Sequence, residues 1–116
     1  FLYNQMDKVF QLFPQIVEVN RNLSNKMNIP LIDQYKYFSP FYEKKPKMYS
    51  NLMLDGLHVN PIGNAIMGII ASRSFSLPDP FFMDKSFWNK VKKYLLEMGK
   101  HVDLPSKIPY PEEKEE

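Results

Sequence analysis

The chain has 116 residues and contains no cysteine. Disulfide bonds and thiol chemistry are therefore excluded. The sequence does not indicate whether the protein belongs to an oxidising or a reducing compartment. No apolar run approaches the length of about 20 residues that a membrane-spanning helix needs, so we expect no membrane span. No signal peptide is recognisable at the amino terminus, and the sequence leaves the localisation unknown.

Neither sign of charge is in clear excess, because 15 basic and 13 acidic residues give a net charge of +2. Lysine and arginine do not cluster with aromatic residues, as they would on a nucleic-acid-binding surface. We therefore expect no nucleic-acid partner. A single domain is the usual organisation at this length, although so short a chain buries only a small core.

Hydrophobic spacing and turn residues predict four helices and one strand. A short helix is expected to end at Pro14, because proline disfavours helical geometry at the residue before it, and a second helix to run from Pro14 to Asn28. Residues 29–33 are apolar with β-branched residues near both ends, which predicts a buried strand. Residues 34–50 are rich in aromatic residues and lysine and are interpreted as a loop.

The two later helices have clear start signals. Asn60 followed by Pro61 predicts a helix start, because asparagine caps a helix and proline suits its first position. Asp84 is expected to cap the last helix, which Gly99 ends. We expect residues 105–116, with three prolines and an acidic end, to be a disordered tail.

The candidate site lies between Asp55 and Gly63, in the sequence Asp-Gly-Leu-His-Val-Asn-Pro-Ile-Gly. A carboxylate three residues before a histidine, in a turn ahead of a helix, can fold back on the imidazole. Asp55 would then accept a hydrogen bond from one ring nitrogen of His58 and leave the other nitrogen as a base. We expect His58 to lie at a concave surface, where it could take a proton from a serine hydroxyl.

The spacing by itself leaves three interpretations open. Asp55 and His58 can form a catalytic pair, or they can be ordinary residues of a surface turn. A metal site is the third interpretation, but it would need more ligands. The only other histidine is His101, near the end of the last helix. We therefore expect no metal.

The same segment resembles the last sequence block of the SGNH/GDSL hydrolases, a family of serine esterases and lipases, whose pattern is similar to D-G-x-H-x-N-x-x-G. The residues that match this pattern, in order, are Asp55, Gly56, His58, Asn60 and Gly63. The helix, strand and loop predicted ahead of the block also follow the order of elements in that family. The resemblance covers residues 15–75, about half of the chain.

The resemblance implies a fold and a reaction. The fold class would be α/β: the C-terminal portion of a three-layer α/β/α, flavodoxin-like fold with a parallel sheet, plus an extra C-terminal helix. Residues 1–75 would belong to the hydrolase domain, residues 76–104 would form a helical extension, and residues 105–116 the tail. The reaction would be hydrolysis of an ester, such as an acetyl group on a carbohydrate or an acyl chain on a lipid, through an acyl-serine intermediate without a cofactor.

By the same resemblance, individual residues receive roles. His58 is the general base, and Asp55 is the carboxylate that orients it. Asn60 would be a helix cap and Gly63 a close-packed turn residue. Asp33 is interpreted as a loop anchor rather than as a catalytic group.

The chain departs from the family in what it lacks. None of its serines follows a Gly-Asp pair, so the G-D-S nucleophile is missing, and so are the blocks that supply the oxyanion hole. We therefore expect the partner to be the N-terminal portion of the same enzyme, which carries the serine and the oxyanion hole, and the substrate to be a small ester. Phe1 as the first residue fits a chain that starts inside a longer reading frame.

Two alternatives stay open. The chain can be a non-catalytic interaction subunit, or a small helical binding module in which the Asp-x-x-His spacing is accidental. The helical module predicts that the chain folds alone as a monomer, whereas the esterase predicts that it does not. The aromatic side chains of residues 34–50 fit either a substrate groove or the cover of a sheet edge.

Overall fold

The computed structural model describes residues 2–55 and 58–111, and of these the side chains from residue 12 onward. The regular secondary structure of this described part is entirely helical. In chain order the helices are α1 (Leu2–Met27), α2 (Gln34–Lys44), α3 (Pro46–Ser50), α4 (Pro61–Ser74) and α5 (Lys85–Gly99). One isolated antiparallel bridge joins Met53 and Val59. Of the described helices, none is both long enough and apolar enough to cross a membrane.

The predicted α/β fold with a parallel sheet is wrong, because the described residues contain no strand. Residues 29–33, the predicted buried strand, have no regular secondary structure. The side chains of Ile29 and Leu31 are exposed. A short apolar run becomes a buried strand only beside other strands that satisfy its backbone groups, and the described part of the chain offers none.

The chain divides into two compact units, Phe1–Leu31 and Ile32–Glu116. The first consists mainly of α1, which runs through Pro14 as one helix, so the predicted break at this proline is wrong. Proline removes one hydrogen bond from a helix and kinks it, but a helix of 26 residues keeps many others. Asn28 follows α1 with a φ of 56°, the left-handed conformation that its position predicts.

The expected apolar face of the first predicted helix includes Met6 and Phe10. Their side chains lie outside the described residues.

Residues 34–50 form α2 and α3 instead of the predicted loop. Asp33 begins α2, because its side chain accepts the backbone N–H of Lys36 at 3.2 Å and so caps the helix. Pro46 is the first residue of α3, where the missing N–H of proline removes no helical hydrogen bond. Pro46 thus marks a helix start, whereas Pro40 lies inside α2.

The core of the second unit is formed mainly by α2, α4 and α5. Its buried apolar side chains are Phe41, Leu52, Ala65, Ile66, Ile69, Ile70, Val91, Leu95 and Met98. Tyr37, Phe38 and Tyr49 pack against this cluster. The aromatic residues of the segment therefore cover a helical core, and the expected sheet edge does not exist in the described chain.

The predicted starts of α4 and α5 are confirmed. Asn60 caps α4 and Asp84 caps α5, and each side chain accepts the backbone N–H three residues later at 3.0 Å. Pro61 is the first residue of α4. The last residue of α5 is Gly99, one position before the cap that the structure assigns to Lys100.

Residues 105–111, part of the predicted disordered tail, make contacts within the second unit. Tyr110 donates its hydroxyl hydrogen to the backbone carbonyl of Asp79 at 2.6 Å. Residues 105–111 thus make specific hydrogen bonds within the second unit, and the disorder of the tail stays a prediction. Residues 112–116 lie outside the described residues.

Candidate functional site

The loop between α3 and α4 carries the candidate pair. Nδ1 of His58 lies 2.9 Å from Oδ2 of Asp55. The backbone N–H of His58 donates to Oδ1 of the same carboxylate at 2.7 Å. The predicted contact is therefore confirmed. An ionised carboxylate only accepts hydrogen bonds, so Nδ1 carries the proton and the electron pair of the neutral ring lies on Nε2.

The pair lies on an open surface. The side chain of His58 is 69% exposed and that of Asp55 is 59% exposed. The described residues thus form no deep cleft around it, contrary to the expected concave surface. An exposed pair of this kind contributes at most about 1 kcal/mol to the free energy of unfolding. Its contribution to the stability of the fold is therefore small.

Backbone hydrogen bonds hold the two ends of this loop side by side. The N–H of Leu54 donates to the carbonyl of His58 at 2.8 Å, and the N–H of Asn60 donates to the carbonyl of Leu52 at 2.8 Å. Both bonds flank the isolated bridge described above. Residues 56–57, at the tip of the loop and including the glycine of the motif, lie outside the described residues.

Gly63, in the first turn of α4, packs directly on the loop. A Cβ at this position would lie 2.5 Å from the carbonyl oxygen of Leu52 and 3.0 Å from Cβ of Val59. A side chain larger than hydrogen therefore requires the backbone to shift. Asn60 and Gly63 thus have the local structure that the resemblance implies for them, a helix cap and a close-packed turn.

Two serines on the helices that flank the loop donate hydrogen bonds within their own helices. Ser50 donates its hydroxyl hydrogen to the carbonyl of Lys47 at 2.8 Å. Ser74 donates to the carbonyl of Ile70 at 2.7 Å. Within the described residues, the imidazole of His58 is hydrogen-bonded to a carboxylate and to no serine. The described part of the chain therefore presents a base without a nucleophile bound to it.

The residues that could hold a metal do not assemble. Within residues 2–55 and 58–111, no group of three or more histidine, aspartate or glutamate side chains comes close enough to hold an ion. His101 follows α5, and its Nε2 is buried without a hydrogen-bond partner. The two histidines of the chain thus lie in different environments.

A second polar cluster, which the sequence spacing does not reveal, joins α4 to the segments that follow. Arg73 donates two hydrogen bonds to the carboxylate of Asp79, both of 2.8 Å, and a third to the carbonyl of Pro105 at 3.2 Å. Asp79 is 6% exposed. It lies between two prolines, and the sequence therefore indicates only a break in the chain. In the tertiary structure, Asp79 forms a buried ion pair with Arg73.

An open cleft of about 430 Å³ lies beside this cluster. Trp88, Lys92, Leu104 and Lys107 are among the residues that line it, together with Arg73. Neither residue of the candidate pair lines it, so the cleft and the loop are separate features of the second unit.

No match to the chain was found among protein-family models, curated proteins or solved structures. The resemblance to the SGNH/GDSL hydrolases therefore depends on the motif residues of the chain alone.

Proposed function

We propose that this chain supplies the general base and its orienting carboxylate to a serine esterase site that another polypeptide segment completes. The observation that carries the proposal is the hydrogen bond of 2.9 Å between Nδ1 of His58 and Oδ2 of Asp55. The sequence around the pair, which resembles the last block of the SGNH/GDSL hydrolases, supports ester hydrolysis as the reaction.

In the proposed reaction, Nε2 of His58 takes the proton of the serine hydroxyl as its oxygen attacks the ester carbonyl. The carboxylate of Asp55 stabilises the imidazolium that forms. The imidazolium then returns the proton to the leaving alcohol, and an acyl-serine remains. A water molecule, deprotonated by the same imidazole, releases the acid and restores the serine. The serine and the donors of the oxyanion hole belong to the partner.

The exposure of the pair supports a site completed from outside. A base that must meet a nucleophile on another polypeptide has to be accessible, and the side chain of His58 is 69% exposed. The hydroxyls of Ser50 and Ser74 bind carbonyls in their own helices. Neither hydroxyl is hydrogen-bonded to His58 in the structure.

The test is hydrolysis of p-nitrophenyl acetate by the chain mixed with a polypeptide that carries a G-D-S serine. We expect turnover by the mixture and none by the chain alone. His58→Ala should lower kcat of the mixture by about 10⁴–10⁶-fold, because the proton acceptor is lost. Asp55→Asn should lower it less, because a backbone carbonyl can also hold the ring.

His101→Gln is the matched control, because it changes the other histidine of the chain and should leave turnover unchanged. Turnover by the chain alone would contradict the need for a partner. Full activity of His58→Ala in the mixture would contradict the assignment of the base.

The second candidate function is that of a non-catalytic interaction subunit or helical binding module. The all-helical fold of the described residues supports this candidate better than it supports a hydrolase. A specific observation also favours it: α1 carries large apolar side chains at three- and four-residue spacing, and all are between 47% and 60% exposed. These are Leu12, Phe13, Ile16, Val19, Leu23 and Met27. Such a stripe is typical of a helix that packs on another apolar surface.

The stripe can be tested in the same mixture by isothermal titration calorimetry. Ile16→Glu combined with Leu23→Glu should weaken binding at least about 10²-fold, because buried anchors contribute about 2 kcal/mol each. Asn22→Glu combined with Asn25→Glu adds the same charge to α1 outside the stripe and should leave the Kd unchanged. Binding that depends on the stripe, with no turnover and no effect of His58→Ala, would favour the second candidate over the first.

A further inference from the structure

We infer that Asn60 is the positioning residue of the Asp55–His58 pair, because it ties the loop to the end of α3 and to the start of α4. The inference rests on the proposed function, since positioning has a purpose only if the imidazole acts. The inference goes beyond helix capping, because it gives the Nδ2 amino group of Asn60 a role that a helix cap does not need.

All the hydrogen-bonding groups described for Asn60 bind a neighbouring segment. Its Oδ1 accepts the backbone N–H of Gly63 at 3.0 Å, which caps α4. Its Nδ2 donates to the carbonyl of Asn51, the residue that caps the end of α3. Its backbone N–H donates to the carbonyl of Leu52 at 2.8 Å, and its carbonyl accepts the N–H of Asn64 at 2.9 Å. One residue thus joins both ends of the loop.

The orientation of the imidazole depends on these bonds, because packing does not supply it. The side chain of His58 is 69% exposed, so few neighbouring atoms restrict its rotation. What restricts it is the carboxylate of Asp55, and the distance between the two is set by the loop backbone. The N–H of Leu54 donates to the carbonyl of His58 at 2.8 Å. This bond is next to the one between the N–H of Asn60 and the carbonyl of Leu52.

Only an amide side chain of this length performs both tasks. A helix cap needs an oxygen acceptor, which serine and aspartate also offer. The bond to the carbonyl of Asn51 needs a donor as well, and an ionised aspartate has none. The serine side chain is one atom shorter than that of asparagine, and its single hydroxyl is engaged at the helix cap. It therefore does not also bind the carbonyl of Asn51. Asn60→Ser and Asn60→Asp therefore keep the cap of α4 but remove the hydrogen bond to the end of α3.

The test reads the tautomer of His58 in the ¹⁵N-labelled 116-residue chain by long-range ¹H–¹⁵N correlation, at an alkaline pH where imidazole is neutral. The wild-type chain should show a ring protonated on Nδ1, because this nitrogen donates to Asp55. Asn60→Ser and Asn60→Asp should both lose this preference and shift toward the Nε2-protonated form, which predominates in free histidine. Far-ultraviolet circular dichroism should show the helix content retained in both variants.

Asp84→Ser is the matched control, because Asp84 caps α5 with the same geometry and lies outside the loop. It should leave the signals of His58 unchanged. In the mixture with the serine-bearing polypeptide, Asn60→Ser should lower kcat by about 10²-fold, the usual effect of a displaced catalytic group, while KM changes little.

A wild-type tautomer in either folded Asn60 variant would overturn the inference. Loss of folding in both variants would also overturn it, because the residue would then be structural for the whole unit. The result is separable from the proposed function: a lost tautomer without any esterase turnover keeps the positioning and removes the catalysis. A retained tautomer together with turnover that depends on His58 would remove the positioning role of Asn60 and keep the catalysis.

Discussion

Gly63 approaches Leu52 so closely that a Cβ on the glycine would lie 2.5 Å from the carbonyl oxygen of the leucine. The side chain of Leu52 is fully buried in the core of the second unit, and Gly63 belongs to the first turn of α4. The contact thus joins the loop of the candidate pair to the first turn of α4 and to the core of the second unit. The position of the loop depends on the absence of a side chain at residue 63.

Gly63→Ala should therefore lower the free energy of unfolding by about 1–3 kcal/mol, the usual cost of overpacking. Urea unfolding of the chain measures it. Gly68→Ala is the matched control in the same helix, because a Cβ there meets nothing within 4 Å. It should stabilise the chain by up to about 1 kcal/mol, since alanine favours helix. Equal effects of the two substitutions would contradict the described contact.

Asp79→Asn should lower the free energy of unfolding by about 3–5 kcal/mol, because it leaves the partly buried guanidinium of Arg73 without its carboxylate. The side chain of Arg73 is 14% exposed and that of Asp79 is 6% exposed. Lys100→Gln removes the exposed member of a pair with Glu97, which keeps Lys45 at 3.7 Å, and should change stability by less than about 1 kcal/mol. Thermal unfolding followed by circular dichroism compares them, and equal effects of the two substitutions would contradict the burial of the Arg73–Asp79 pair.

Tyr49 should make the protein sensitive to alkali. Burial raises the pKa of Tyr49 above its usual value of 10.0, and the neighbouring Tyr42 raises it further because two phenolates repel each other. The folded state thus holds this proton more tightly than the unfolded state. Its contribution to stability is complete below the unfolded pKa and is lost as the pH rises through the folded pKa.

Tyr49→Phe should accordingly make the free energy of unfolding fall less steeply above about pH 10. Urea unfolding at two pH values on either side of this point measures the slope. Tyr42→Phe should bring the pKa of Tyr49 closer to its usual value, which the tyrosinate absorbance reports. A slope that is the same in wild type and Tyr49→Phe would be evidence against the burial of this phenol.

Pro14→Ala should increase the helix content of α1, because an interior proline costs about 3 kcal/mol relative to alanine. Hydrogen exchange of the backbone amides around residue 14 measures the local opening. We expect slower exchange in this part of α1 and no change in α4, which belongs to the other compact unit. Unchanged exchange around residue 14 would mean that α1 does not continue through this position in solution.

Local signals predicted the features that depend on local chemistry. Asn60 and Asp84 mark helix starts because a side-chain oxygen three residues before a free N–H closes a cap without help from distant residues. The contact between Asp55 and His58 is predictable for the same reason, since three residues of loop bring the two side chains together. The left-handed Asn28 also depends only on its own neighbours.

Other predictions failed where distant residues decide. The composition of residues 34–50 favoured a loop, yet Phe41 is completely buried and α2 packs on the helices of the core. The apolar run of residues 29–33 favoured a buried strand, yet it lies outside any sheet. Local composition cannot distinguish these cases, because a strand needs a partner strand and a short helix needs a surface to cover.

The sequence by itself determined α4 and α5, their caps, and the pairing of a carboxylate with an imidazole in the loop before α4. Each of these depends on groups within a few residues of one another. Only the tertiary structure decided that the regular secondary structure of the described chain is all helical, that Arg73 and Asp79 form a buried ion pair, and that Gly63 must be free of a side chain. These features depend on contacts between segments distant in sequence, whose energies no local pattern contains.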